Sequence, residues 1–206
     1  MKEDNKIFEE EFKRKTLMCQ IKDEILEFKE SPLYKERIKT GTFPIIGEGS
    51  HFAKIIFIGE APGKNEAMTG RPFCGAAGKI LDELLEYTGI DRKSVYITNI
   101  VKDRPPKNRD PSPAEIEIYA PFLDRQIKII QPKVIATLGR FSMAYILKKF
   151  QIKEERKISQ IHGMVFEAET DFGEIKIIPL YHPAVAVYNR KEIDILKKDF
   201  TILKKF

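Results

Sequence analysis

Three short apolar runs, Ile55 to Ile58, Val95 to Val101 and Val134 to Leu138, alternate with stretches of helical periodicity, and this alternation most constrains the fold. Strands covered on both faces read as unbroken apolar runs, and parallel neighbours need a crossover between them, usually a helix. The expected fold class is therefore α/β, with a mostly parallel sheet between helices. At 206 residues and 42% hydrophobic content the chain can bury a full core and fits one domain spanning residues 1–206.

The intervening segments carry their own signals. Ile7, Phe8, Phe12, Met18, Ile21, Ile25 and Phe28 recur at helical spacing, so residues 1–30 form an expected N-terminal helical segment of one or two helices before Pro32. Ile80, Leu81, Leu84, Leu85 and Tyr87 mark a helix that Gly89 closes. Ser112-Pro113-Ala114-Glu115 has capping-box spacing and opens a helix towards Gln131, with Pro121 as a possible kink. A helix from about Phe141 to Phe150, strand-like runs at Val165 to Ala168 and Ile175 to Leu180, and a closing helix from Lys191 to Lys205 complete the pattern.

In such sheets ligands gather where strands end, here the loops beginning at Gly59, Asn99, Gly139 and Tyr181. Gly59-Glu60-Ala61-Pro62-Gly63 with Gly70-Arg71-Pro72-Phe73-Cys74-Gly75 places a carboxylate and an aromatic ring at one glycine-built mouth, suited to a flat, polar guest. It is not a Walker loop, which needs four residues between its glycines and Ser or Thr after the Lys; here three residues and Asn65 stand instead. The loop from Thr98 to Pro111 carries Lys102, Arg104, Lys107 and Arg109 among prolines, a stiff basic segment suited to phosphate contacts or, failing that, to solvation. His182, after the last strand, could donate to an oxygen on which charge develops, or be an ordinary satisfied histidine.

Composition narrows the rest. With 36 basic and 31 acidic residues the net charge of +5 favours a polyanion only modestly. Cys19 and Cys74 are too few for a disulfide framework or a four-thiolate site and read as small buried hydrophobes. No apolar run approaches the roughly 18 residues of a membrane span, and the amino end lacks a signal peptide's apolar centre, so no membrane association and a cytoplasmic location are expected.

Taken together, Gly59 to Gly63, Gly70 to Gly75, Thr98 to Pro111 and His182 to Ala184 resemble the family 4 uracil-DNA glycosylases from about Pro32 onwards. The resemblance implies a four-stranded parallel sheet between helices, a monomer, and excision of uracil from DNA. It implies catalytic roles for Glu60 and His182, stacking of Phe73 on an extruded base, and a base-binding mouth that includes Gly59, Ala61 and Glu66. An amide held in one orientation can accept from uracil N3–H and donate to O4, which makes Asn99 the expected reader; a strand-end turn role is its alternative. Glu66 is either a shape filter against thymine or a solvated loop acid. Arg71, Lys102, Arg104, Lys107 and Arg109 are the expected DNA contacts, and an apolar wedge is expected within Val185 to Arg190.

One departure is pronounced. Members of that family typically hold a 4Fe-4S cluster on four cysteines, and here the matching positions are Phe28, Ser31, Asp103 and Tyr119. No cluster, metal or other cofactor is therefore expected, with Phe28 packing on Tyr119 and with Ser31 or Asp103 hydrogen bonding nearby. The loop Lys107-Asn108-Arg109 also lacks the histidine of covalently trapping relatives, which favours turnover. A glycosylase for another deaminated base such as hypoxanthine, and a non-catalytic DNA-binding relative, are the competing readings.

Overall fold

The structure is a computed structural model that describes residues 2–206, with side chains described from Ile7 onwards. In chain order its elements are helices α1 (Lys2–Leu26) and α2 (Tyr34–Thr40), strands β1 (Glu48–Gly49) and β2 (Ile55–Gly59), helices α3 (Lys64–Thr69) and α4 (Ala76–Thr88), and strand β3 (Tyr96–Asn99). Then come α5 (Pro113–Ile130), β4 (Val134–Leu138), α6 (Arg140–Lys149), α7 (Ile158–Ile161), β5 (Phe166–Thr170), β6 (Gly173–Leu180), α8 (Ala184–Tyr188) and α9 (Ile193–Phe200).

The sheet order is β1-β3-β2-β4-β6-β5. The inner four strands are parallel, and the outer two pair antiparallel to their neighbours. The expected four-stranded sheet is thus the centre of a six-stranded one. Two residues of β1 are too short to leave a periodic trace, and β5 joins by a hairpin.

Alternation along β2 splits the core. Ile56 and Ile58 pack with Ile21 and Ile25 of α1, Tyr119 and Leu123 of α5 and Ile146 of α6. Ile55 and Phe57 face Leu81, Leu84 and Leu85 of α4 and Leu196 and Phe200 of α9. Both sheet faces are covered, as continuous apolar strands require.

Local rules explain most helix ends. The Glu115 N–H donates to Ser112 Oγ at 3.2 Å and the Ser112 N–H to Glu115 Oε2 at 2.8 Å, completing the capping box. α5 continues through Pro121 to Ile130, and Gln131 caps it in the left-handed conformation. The amino-terminal periodicity resolves into one long α1, and the closing segment divides into α9 flanked by 3-10 turns. Cys19 is exposed and Cys74 half-buried, which corrects the expectation that both are buried hydrophobes; Thr69 Oγ1 lies 3.2 Å from Cys74 Sγ.

The four positions matched to cluster ligands meet in the interior. Phe28 sits edge-on to Tyr119 with centroids 5.5 Å apart. The Tyr119 hydroxyl donates to Asp103 Oδ2 at 2.6 Å and accepts from Ser31 Oγ at 2.7 Å, which in turn accepts from the Leu33 N–H at 3.0 Å. Arg37 donates to both Asp103 oxygens at 3.1 and 3.0 Å and to the carbonyls of Ile25 and Leu26 at 3.0 and 2.6 Å, closing the end of α1. Burial pushes the Asp103 pKa up, while Tyr119 and Arg37 pull it down. Removing Arg37 would leave a buried carboxylate without its cation and two carbonyls without a donor. Arg37→Leu is expected to lower the unfolding free energy by about 3–5 kcal/mol in a urea titration.

Candidate active site

The carboxyl ends of the parallel strands open into a cavity of about 410 Å³. Glu60, Ala61, Glu66, Phe73, Asn99, Arg109 and His182 line it. β2 and β3 run in parallel register with Gly59 opposite Asn99. Two further bonds extend the pairing past the strands, from the Ile100 N–H to Gly59 O at 3.1 Å and from the Val101 N–H to Glu60 O at 3.0 Å.

Gly59 is the floor beneath the cavity. A Cβ there would lie 2.3 Å from Asn99 Oδ1 and 2.9 Å from two atoms of the Phe73 ring, so only glycine lets amide and ring converge. Asn99 is buried, and its carboxamide faces the cavity without a hydrogen-bond partner among the described residues.

Phe73 is held in a strained backbone, with φ of 47° at a non-glycine residue. The surroundings enforce it. Arg92 donates to the Pro72 carbonyl at 2.9 Å, and Glu66 Oε1 accepts the N–H groups of Cys74 at 3.0 Å and Gly75 at 2.8 Å. Glu66 is therefore neither a free loop acid nor simply a steric filter: its carboxylate ties the turn that carries the ring to the start of α4.

The Phe73 and His182 rings lie 5.5 Å apart at 30°. His182 Nδ1 accepts the Ala184 N–H at 3.1 Å, which leaves the ring hydrogen of a neutral imidazole on Nε2. Burial lowers the His182 pKa to about 4, so the ring is neutral near pH 7. Glu60 moves the opposite way: burial first, then the charge of Asp110, raise its pKa to about 7, opposed by Arg140. Asp110 is itself paired with Arg140 at 2.5 Å.

The basic residues separate. Lys102 is fully buried, its Nζ bonded to Thr98, Asn99 and Gln126, so the expectation that it contacts DNA is corrected: an enclosed ammonium cannot reach a phosphate. Arg71 is exposed but grips both oxygens of Glu48 at 2.9 Å, and it does not line the cavity. Arg109 holds both oxygens of Glu115 at 2.8 and 2.6 Å. Arg104 donates to Asn108 Oδ1 at 2.6 Å, and Lys107 stands exposed at φ of 57°. These two have no acidic partner among the described residues.

Sequence reasoning missed Asn108, Asp110 and Tyr188 as cavity residues. Asp110 ends the basic loop and could have been flagged as a second carboxylate near Glu60; Tyr188 fell within the segment in which a wedge was expected.

The family model for the "Uracil DNA glycosylase superfamily" matches residues 46–204. The chain is 46% identical to the type-4 uracil-DNA glycosylase of Sulfurisphaera tokodaii, across 87% of this chain and 80% of that protein. It is 44% identical to the type-4 uracil-DNA glycosylase of Archaeoglobus fulgidus, across 79% and 81%, and 37% identical to that of Thermotoga maritima, across 87% and 88%. On this family match and these identities over most of its length, the chain belongs to the uracil-DNA glycosylase superfamily and to its type-4 family.

Proposed function

We propose that the protein, acting as a single domain, hydrolyses the N-glycosidic bond of a flipped-out deoxyuridine in DNA, releasing uracil and leaving an abasic site. The convergence of the Phe73 ring and the Asn99 carboxamide above Gly59 carries this reading. Ring stacking contributes on the order of 1–3 kcal/mol per base, against an unpairing cost of a few kcal/mol. Asn99 accepts from uracil N3–H and donates to O4; cytosine reverses both groups and leaves buried polar atoms unmatched, at about 1–3 kcal/mol each.

As the C1′–N1 bond breaks, its electron pair leaves with uracil and positive charge develops on the sugar. Neutral His182 donates its Nε2–H towards uracil O2, stabilising the departing anion. Ionised Glu60 faces the sugar, offsets its charge and takes the proton of the water that bonds to C1′. Arg104 and Lys107 are the cations best placed to meet phosphates, and Tyr188, 90% exposed at the cavity mouth, is the side chain offered to the vacated stack.

The type-4 relatives raise the question of a 4Fe-4S cluster, which the residues present do not fit. The four positions supply no thiolate, and the Asp103 carboxylate is already engaged by Arg37 and Tyr119. Iron and acid-labile sulfide in native protein are expected well below one cluster per chain by colorimetric assay.

The direct test is a uracil-containing oligonucleotide incubated with the protein and then cleaved by alkali at abasic sites. Wild type is expected to cut only at uracil, and Gly59→Ala to reduce the rate by at least about 100-fold, because the added methyl displaces ring or amide by roughly an ångström. Glu60 sets the pH dependence. Because its pKa is raised, the carboxyl is protonated and uncharged below about pH 7 and ionised above it. Single-turnover excision should rise about tenfold per pH unit up to that point and then level, and Glu60→Gln should abolish this limb.

A further inference from the structure

Lys102 lies three residues beyond Asn99, and nothing in the mechanism above uses it. Its Nζ is 2.7 Å from the Asn99 carbonyl oxygen, 2.8 Å from Thr98 Oγ1 and 2.6 Å from Gln126 Oε1. The Thr98 hydroxyl donates its one hydrogen to the Ile46 carbonyl at 2.7 Å, and the Gln126 amide nitrogen donates to the same carbonyl at 2.8 Å. Both side-chain oxygens are thereby committed as acceptors, as the Asn99 carbonyl must be. An ammonium offers three hydrogens to these three acceptors, whereas a neutral amine offers two and turns a lone pair on an oxygen. Burial pushes the lysine pKa well down, and three acceptors within hydrogen-bond distance of Nζ favour its charged form.

The position of the clamp explains its use. Successive carbonyl and N–H groups of a trans peptide point in opposite directions. The Ile100 N–H points to Gly59 of β2, so the Asn99 carbonyl points away, towards the side of β1. β1 pairs only with Tyr96 and Ile97 and does not extend to Asn99. Lys102 takes the place of the absent strand, so the peptide unit after Asn99 is held at both ends, by Gly59 on one side and by the ammonium on the other.

We propose that Lys102 is a positioning residue for base recognition, clamping the last carbonyl of β3 and thereby fixing the Asn99 carboxamide over Gly59. This rests on the excision reading above. It gives the lysine of the basic loop an internal task in place of a phosphate contact.

The test places Lys102→Met and Thr98→Val in both the wild-type and Asn99→Ala backgrounds. Single-turnover uracil excision, thermal unfolding, and binding to abasic duplex across a salt series are measured. Lys102→Met is expected to slow excision about tenfold or more, and to slow Asn99→Ala by no more than about twofold, since a residue that acts through Asn99 has nothing left to position. Thr98→Val, which leaves two acceptors, is expected to slow excision about threefold in the first background and not in the second. The dependence of binding on salt should be unchanged, whereas a lost phosphate contact would reduce its slope by about one.

Losses that multiply with Asn99→Ala, an unaltered rate in Lys102→Met, or a reduced salt slope would each overturn the proposal. Should Lys102→Met not fold, the Thr98→Val pair decides it alone. Wild type inactive on uracil would bring down the excision reading and this one together; wild type active, Asn99→Ala impaired and Lys102→Met unimpaired would bring down only the role of Lys102.

Discussion

The pairing of β2 with β3 continues past the formal ends of both strands, through Ile100 to Gly59 and Val101 to Glu60. Every other feature of the site depends on it. These bonds fix Gly59, Glu60 and Asn99 relative to one another through backbone alone, before any side-chain contact contributes. A parallel ladder delivers both strand ends to the same edge of the sheet, and the crossover helix α4, which starts just after the turn that carries Phe73, packs on one face of the pair.

Just beyond this pairing, two consecutive residues are buried with opposite charge. Lys102 reaches Gln126 and Asp103 reaches Tyr119, and these partners stand seven residues apart on α5, two turns along one face. α5 thus braces the loop twice. The Asp103 arm continues to Arg37 and the end of α1, so the amino-terminal helix is tied to the segment that leads into Arg104 and Lys107. The long basic loop gains its order from polar groups turned inward, while fewer cations than the sequence offers are left facing out.

Much of this was legible beforehand where local chemistry decides. Every strand but β1, the capping box at Ser112 and Glu115, and the gathering of Glu60, Phe73, Asn99 and His182 at one edge follow from periodicity, turn residues and the ordering rule of α/β sheets. Elsewhere the deciding partners come together only in the fold. Lysine is almost never fully buried, so Lys102 read as surface until oxygens from Thr98 and Gln126 closed around it. Arg71 and Arg109 read as DNA contacts, and the acidic partners Glu48 and Glu115 that the fold gives them left no sign of the pairing in the sequence. Glu66 read as a shape filter or a solvated loop acid because the N–H groups it accepts belong to a turn eight and nine residues away.

Where the family resemblance implies cysteine ligands to a metal cluster, the residues present form a hydrogen-bonded ion pair, and the two devices differ in kind. A cluster joins distant segments through bonds that depend on metal supply and thiolate chemistry, so folding and metal loading are linked. The Arg37, Asp103, Tyr119 and Ser31 network needs neither, but it must repay the desolvation of two charges through geometry. It does so by leaving little unsatisfied. Arg37 answers a carboxylate and two helix-end carbonyls, Tyr119 donates to Asp103 and accepts from Ser31, and Ser31 in turn caps the Leu33 N–H. Such a network adds little net stability over an apolar plug of the same volume; its contribution is direction, since only one arrangement of α1, α2, α5 and the basic loop satisfies all of its members at once.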